Sequence, residues 1–580
     1  MSDEPLSPAV IAANEAQARV EACIDTNRNF RLEAGAGAGK TYSLVEALKR
    51  LIAERGTSLI QAGQKVACIT FTEVARDEIA KEIEQHPAIM VDTIHAFSWA
   101  FLSQFQKALR GLVDAMEDRK EKIEAGGGVG AKPVEYNLGF FGVEETKITL
   151  SHDDVPLFMA QLLSQEKFRR LLAHQFPVIF IDEYQDTDQH FMAAISEHFF
   201  QKGEGPLIGL FGDHWQTIYR GDFDLADFSV EAIDKGSNFR SAPAVVNMLN
   251  QLRPELPQEV SDPKAEGEAR FFHANSYNGE RTATAHSKGD LPDDVARAFR
   301  QGLLKRLEAE GWDLAREKTK VLMLTHNALA AEQGYPSITR IFKRSEAFAK
   351  KEDPTIEFFA ETLEPMCAAY GQGRYGEMFK VLGGVPAIRA HADKLSWRAS
   401  MDQLNKLRTN GTVGEVLDHL KQTQRPHLSD RVMRREEELA RLAGEPIPEE
   451  STSLARHNEL RSVRYSEVIE LVKFVEGSTP FATQHSVKGA EFENVLVVLG
   501  GGWNHYNWPQ LLELLETQAI TDKNTKGYHR ARNLFYVSVS RPKKRLAVLA
   551  TQTLSPKALA AASRLFGSEN VEGLVGMAAD

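Results

Sequence analysis

A lysine that follows small residues and precedes a hydroxyl can hold a polyphosphate, and Ala34-Gly-Ala-Gly-Ala-Gly39-Lys40-Thr41 has that arrangement. Small residues let successive backbone N–H groups, here those of Ala36, Gly37, Ala38 and Gly39, turn inward on one anion. The helix expected next points its positive end at the same place. Lys40 would reach the β- and γ-phosphates, and the Thr41 hydroxyl would bind Mg2+. The first position of the motif, usually glycine, is Ala34 here. Such a loop needs an acidic partner at a strand end, and Val178-Ile-Phe-Ile-Asp182-Glu183 supplies one. Asp182 is suited to hold the metal through water, and Glu183 to orient or deprotonate the attacking water. Following a phosphate loop in this order, the pair points to nucleotide hydrolysis.

The elements that must position these groups read as α/β. Short β-branched runs precede polar turns at Val66–Thr70, Val178–Ile181, Leu207–Phe211, Val321–Leu324, Val495–Leu499 and Leu546–Leu549. Helical stretches lie between them. In Thr41–Arg50 and beyond, Leu44, Leu48 and Leu51 share a face, and Gly56 reads as the stop. Buried strands alternating with amphipathic helices imply parallel sheets covered on both faces, here two of them. Two segments lack the pattern. Residues 98–170 carry the charged run Glu117–Glu124 and a glycine cluster, Gly126–Gly130; residues 342–465 are rich in Lys, Arg and Glu at helical spacing. Both read as helical insertions.

Composition sets outer bounds. With 580 residues, 42% of them hydrophobic and 26% charged, the chain is globular rather than disordered or fibrous. The net charge of −12 lacks the basic footprint usual in nucleic-acid binders, so any such contact must be confined to a groove. Cys23, Cys68 and Cys367 show no metal-ligand spacing and fit a reducing compartment. The acidic start and the short apolar runs lead us to expect a cytoplasmic protein without membrane contact.

Asp182-Glu-Tyr-Gln-Asp186 is more specific than a generic acidic strand end. It resembles the second motif of the UvrD/Rep/PcrA-type superfamily 1A DNA helicases, and further motifs follow the family order. Asn14-Glu-Ala-Gln17 resembles the Q motif. Thr70-Phe71-Thr72 and Thr93-Ile-His95-Ala-Phe97 resemble motifs Ia and Ib, and Gly212-Asp213-His-Trp-Gln216-Thr-Ile-Tyr219 resembles motif III. Asn238-Phe239-Arg240-Ser241 is similar to motif IV, Thr483-Gln-His485-Ser-Val-Lys488-Gly489-Ala-Glu491-Phe492 to motif V, and Phe535-Tyr536-Val-Ser-Val-Ser540-Arg541 to motif VI. Eight ordered motifs between Asn14 and Leu549 carry far more weight than any one.

The resemblance implies two RecA-like parallel-sheet domains with a nucleotide site between them, each bearing a mainly helical insertion. The first sheet domain would comprise residues 1–97 and 171–240, with its insertion at 98–170. The second would comprise 241–341 and 466–555, with its insertion at 342–465, and 556–580 would form a tail. By the same resemblance, ATP and Mg2+ are the cofactors. Gln17 would face the adenine, Phe239 would stack on it, and Glu491 would lie near the ribose. Gln216 would sense the γ-phosphate, and Arg240 and Arg541 would act as arginine fingers from across the cleft. On the DNA side, Phe71 and Tyr219 would be stacking platforms. Thr72, Thr93, His95 and His485 would line the strand path.

The chain departs from the family at several points. Tyr42 stands where arginine usually follows the Lys-Thr pair, which alters the nucleotide-stacking surface. Arg220-Gly221-Asp222 replaces a Trp-Arg-Gly run, leaving Trp215 or Phe223 as substitute stacking aromatics, and Pro542 stands where alanine is usual. Compact relatives include stand-alone helicases and the helicase component of Gabija-type antiphage systems; nothing after Leu549 reads as an appended nuclease domain, so none is expected there. The function implied is an ATP-dependent 3′→5′ translocase and helicase on single-stranded or tailed duplex DNA, in repair or antiphage defence. The alternative is a nucleotide-gated, DNA-binding regulatory subunit that licenses a partner nuclease with little unwinding.

Overall fold

The computed structural model describes residues 6–137, 140–218, 230–284, 287–324, 326–343, 347–384, 388–442, 446–448, 451–500 and 506–575. The chain forms two compact units, one of residues 1–269, 510–546 and 557–570, the other of 270–509, 547–556 and 571–580.

The first unit is built on a six-stranded sheet in the spatial order Ile89–Thr93, Val66–Thr70, Val178–Asp182, Leu207–Gly212, Phe30–Ala34, Glu231–Lys235. Neighbouring strands are parallel throughout. Period-two alternation feeds two cores. Ala67, Ile69, Ile179, Ile181, Ile208 and Leu210 pack on one face. Val66, Cys68, Val178, Phe180, Leu207 and Phe211 pack on the other with Leu44, Leu48 and Leu51. This is the double coverage that near-continuous apolar strands require. The strand before the phosphate loop is fixed by edge-to-face rings: Phe30 lies 6.0 Å from Phe180 and 5.5 Å from Phe211, and Phe180 lies 5.3 Å from Phe211. Gly209 admits this cluster, since a Cβ there would meet Phe30 Cζ at 2.5 Å and Phe180 Cδ1 at 2.8 Å.

Two expectations change. The helix after the loop runs Lys40–Gln61, so Gly56 does not stop it. Gly56 is buried, and a Cβ there would stand 3.2 Å from the His86 ring, so the residue is small for packing reasons. The chain turns instead at Gly63, with φ +67°. Residues 98–170 are not helical alone: Val134–Tyr136, Gly142–Val143 and Ile148–Leu150 form a small mixed sheet among the helices. These strands are too short for a periodicity argument to find.

The second unit contains most of a six-stranded sheet ordered Phe481–Thr483, Thr319–Met323, Phe492–Leu499, Pro542–Ala550, Glu268–His273, Val571–Gly573. Its core includes Val321, Met323, Leu496, Val498, Ala547 and Leu549. Helices from His326–Gln333 to Tyr465–Val475 surround a separate core that includes Ile338, Phe359, Leu417 and Tyr465. Among the described residues no helix is long and apolar enough to cross a membrane.

Replacing Gly209 by alanine should force the Phe30 and Phe180 rings out of register and cost about 1–3 kcal/mol, the usual penalty for overpacking. A urea unfolding midpoint equal to that of the wild type would refute this account of the cluster.

Candidate active site

The phosphate loop leaves the end of Phe30–Ala34 and enters Lys40–Gln61 through two left-handed glycines, Gly37 at φ +76° and Gly39 at φ +74°. Only glycine takes these angles without cost. Its carbonyls are held from outside by the segment 235–239. Ala36 O accepts from Asn238 Nδ2 at 3.0 Å and from Gln258 Nε2 at 3.1 Å. Gly37 O accepts from the Phe239 amide at 2.9 Å, Ala38 O from Ser237 Oγ at 3.1 Å, and Gly39 O from Lys235 Nζ at 2.8 Å. A loop whose carbonyls are held on one side presents N–H groups on the other. Not all of them serve. The Ala36 amide bonds to Tyr536 Oη at 3.0 Å and the Ala38 amide to Gly35 O at 3.0 Å. The Ala36 and Ala38 amides are thus already engaged, which leaves those of Gly37, Gly39 and the first helical turn as the candidates for a phosphate, rather than every amide from Ala36 onward.

The side-chain chemistry converges on Lys40. Its Nζ lies 2.9 Å from Asp182 Oδ1 and 2.5 Å from Glu183 Oε1. Burial disfavours the ammonium, but the two carboxylates outweigh it and hold its pKa above the ordinary lysine value. Burial raises the pKa of Asp182, with Glu183 pushing the same way and Lys40 opposing. Glu183 sits in the left-handed region at φ 49°, a strained position that turns its side chain back toward the loop lysine. Gln185 Nε2 bonds to Glu183 Oε2, and Gln185 Oε1 accepts from the Asp213 amide at 3.2 Å. The acidic strand end is thereby tied to the next strand.

On that strand, Asp213 Oδ2 accepts from Gln216 Nε2 at 2.8 Å, and Gln216 Oε1 accepts from Arg541 at 3.3 Å. Arg541 is 1% exposed. Burial, and then the Arg240 charge beside it, pulls its guanidinium down to about 9, while Glu183 acts the other way. Arg240 donates to Ser540 O at 3.2 Å. Two guanidiniums, one amide side chain and Lys40 therefore gather within the unit that holds the loop.

Residues that could hold a nucleotide and a divalent ion fit those groups. Both amide atoms of Gln17 are buried without a hydrogen-bond partner among the described residues, one donor and one acceptor as an adenine edge requires. Tyr42 and Phe239 are 67% and 44% exposed. Thr41 is half-buried at the start of the helix, and Asp182 supplies a carboxylate for a hard cation.

A family profile for an AAA domain (AAA_19) matches residues 17–222. The chain is 22% identical to the Gabija protein GajB of Bacillus cereus (strain HuB5-5), over 91% of this chain and 93% of that protein. Together with the ordered motifs, these two likenesses support a superfamily 1 helicase. The crystal structure of an arterivirus helicase, nonstructural protein 10, aligns at 11% identity and a TM-score of 0.28, over 96% of this chain and 63% of that one, too distant a likeness to carry an argument.

The remaining helicase-motif residues are placed as follows. Thr70 and Thr93 are register partners at the carboxyl ends of adjacent strands, which brings motifs Ia and Ib side by side. Thr72 and Thr93 cap helices, accepting from Ala75 and Ala96. Phe71 is 38% exposed. The His95 ring stacks on His152 with centroids 3.4 Å apart, and Tyr136 Oη lies 2.7 Å from His152 Nδ1. Tyr219 and Phe223 lie outside the described residues. Trp215 is 4% exposed, with Arg532 3.9 Å from its ring and Arg253 5.3 Å from it. It is a core residue and does not substitute for a missing base-stacking aromatic. In the second unit, His485 Nε2 bonds to Tyr506 Oη at 2.8 Å, and Glu491 is exposed ahead of Phe492–Leu499.

Several structural partners of the site carried no signal of their own. Glu33 is 4% exposed within the strand before the loop. It is met by Tyr184 Oη, His214 at 3.0 Å and Arg31 at 3.2 Å. Arg253 bonds to Asp213 at 2.7 Å. Lys235, 1% exposed, bonds to Gly39 O and to Ser43 Oγ at 2.7 Å. A charged residue inside a strand run was the available clue for Glu33 and Lys235, but nothing in the sequence names their partners.

Burial alone pushes the Lys235 ammonium from its ordinary 10.5 down to about 8. The folded protein therefore carries the full cost of that buried charge below about pH 8 and sheds it as pH rises toward 10.5. The wild type should gain roughly 3 kcal/mol on Lys235→Met across that window. Stabilities that run parallel in denaturant titrations at pH 7 and pH 10 would contradict it.

Proposed function

We propose that the protein is an ATP-driven 3′→5′ translocase and helicase acting on single-stranded and tailed duplex DNA. The observation that carries this reading is the convergence of Lys40, Asp182, Glu183, Gln216 and Arg541 on one clasped phosphate loop. On ATP binding, Lys40 exchanges Asp182 and Glu183 for the β- and γ-phosphates. Asp182 and Thr41 are the residues that would hold Mg2+, which when bound would supply charge neutralisation at the phosphates. Glu183, freed from the lysine, orients the attacking water. Arg240 and Arg541 offset the charge that develops on the transferring phosphoryl group, an effect worth ~10³–10⁵ in rate for an arginine finger. Gln216 links Arg541 to Asp213, and Gln185 links Asp213 to Glu183, so hydrolysis is felt on both strands. Gln17 reads the adenine edge, Tyr42 and Phe239 offer rings to the base, and Glu491 approaches the ribose. Phe71, Thr72, Thr93, His95, Tyr219 and His485 line the single strand.

A second reading is a nucleotide-gated DNA-binding subunit that licenses a nuclease with little strand separation. The burial of Trp215 favours it, because motif III then lacks a second described base-stacking aromatic. Similarity to a Gabija protein supports antiphage defence as the setting in either case, and the acidic, uncompartmented composition supports the cytoplasm.

ATP turnover should rise strongly with single-stranded DNA and fall below detection in Lys40→Ala and Glu183→Gln. Turnover indifferent to DNA would end the motor reading. A 3′-tailed duplex should be unwound and a 5′-tailed one spared; stimulated turnover without strand release would favour the nuclease-licensing subunit. Gln17→Ala should raise KM for ATP about tenfold while leaving KM for GTP unchanged, consistent with 1–3 kcal/mol for a bidentate base contact. An equal effect on both nucleotides would remove Gln17 from base reading.

A further inference from the structure

Lys235 is a buried cation that the hydrolysis chemistry above does not use. It stands at the end of Glu231–Lys235, the edge strand beside the one that feeds the phosphate loop, with Lys235 in register with Ala34. Its Nζ reaches the Gly39 carbonyl at 2.8 Å and the Ser43 hydroxyl at 2.7 Å, and it would lie 3.6 Å from a Cβ at Gly39. Among the described residues no carboxylate pairs with it; both of its partners are neutral oxygens. A cation 1% exposed and unpaired, at the positive end of a helix, is electrostatically misplaced for an isolated fold. It becomes well placed only when anions occupy the other side of the peptide layer it holds. The rest of the strap does the mechanical work with neutral groups: Ser237, Asn238, Gln258 and the Phe239 amide hold the carbonyls of Ala36, Gly37 and Ala38. The single charged donor falls on Gly39, the residue next to Lys40.

We propose that Lys235 is a second nucleotide-positioning lysine, which fixes Gly39 and Ser43 from behind the phosphate loop and lends its buried charge to the phosphates in front. This rests on the loop being a nucleotide site. Lys235 touches no reacting atom, so its contribution is to phosphate binding that is common to substrate and transition state. Such binding appears in KM and leaves kcat nearly unchanged.

The test uses the full-length protein with Lys235→Met, which keeps the length of the side chain without its charge, and Lys235→Arg, which keeps the charge. ADP affinity is measured by titration calorimetry, and ATP turnover is measured in the presence of single-stranded DNA. Lys235→Met should weaken ADP binding and raise KM for ATP at least tenfold, with kcat within threefold of wild type. Its melting temperature without nucleotide should be equal to or above the wild-type value, a result that a merely structural lysine would not give. Lys235→Arg should recover at least half of the lost ADP binding energy. ADP affinity within twofold of wild type in Lys235→Met would overturn the proposal, as would a lowered melting temperature accompanied by equal losses in kcat and affinity. If the wild type itself fails to bind ADP, the nucleotide reading falls first, and the two failures are thereby distinguished.

Discussion

The outward-facing carbonyls of the phosphate loop are the constraint on which the rest of the first unit depends. A chain of small residues has no preferred shape of its own and would sample many. Here each carbonyl from Ala36 to Gly39 is assigned a donor from one short segment, so the loop is shaped by its neighbour rather than by its own sequence. That segment can do so because its strand, Glu231–Lys235, runs beside Phe30–Ala34 in parallel register. The sheet order thus matters to chemistry: the edge strand aligns the clasp, and the inner strands bring Asp182 and Asp213 to the same end.

From that shape follows a chain of side chains with little slack. Lys40, Glu183, Gln185, Asp213, Gln216 and Arg541 are joined by successive polar contacts. Beneath them, the buried Glu33 and Arg253 are paired with each other and with the partly buried Arg31 and His214 and with Asp213. Buried pairs of this kind contribute little net stability, but removing one partner is costly. These pairings therefore hold the geometry of the candidate site more than they hold the fold together.

Much of this was legible in the sequence. The phosphate loop, the acidic strand end and the strand runs rest on local chemistry, which a sequence states directly. The insertion sheet at 134–150 was missed because three-residue strands have no measurable period, and Gly56 was misread because a glycine chosen for packing looks the same as one chosen for a turn. The partners of the site lay deeper. Tyr536 stands 500 positions from the amide it binds, and Lys235 stands 196 positions from Gly39. Long-range pairings of that kind are properties of topology, and no local pattern encodes them.

The unit that holds the phosphate loop is discontinuous: it draws on residues 1–269, 510–546 and 557–570. Synthesis delivers Lys40 and Asp182 early, whereas Tyr536 and Arg541 arrive only after 353 further residues have been made beyond Asp182. A nascent chain can therefore form the loop and its acidic partners long before it owns the groups that complete them. Until position 541 has been made, neither the Tyr536 bond to the Ala36 amide nor the Arg541 bond to Gln216 can form. A chain cut short before Tyr536 therefore carries the loop and its acidic strand end without the side chains that the last segment brings to them.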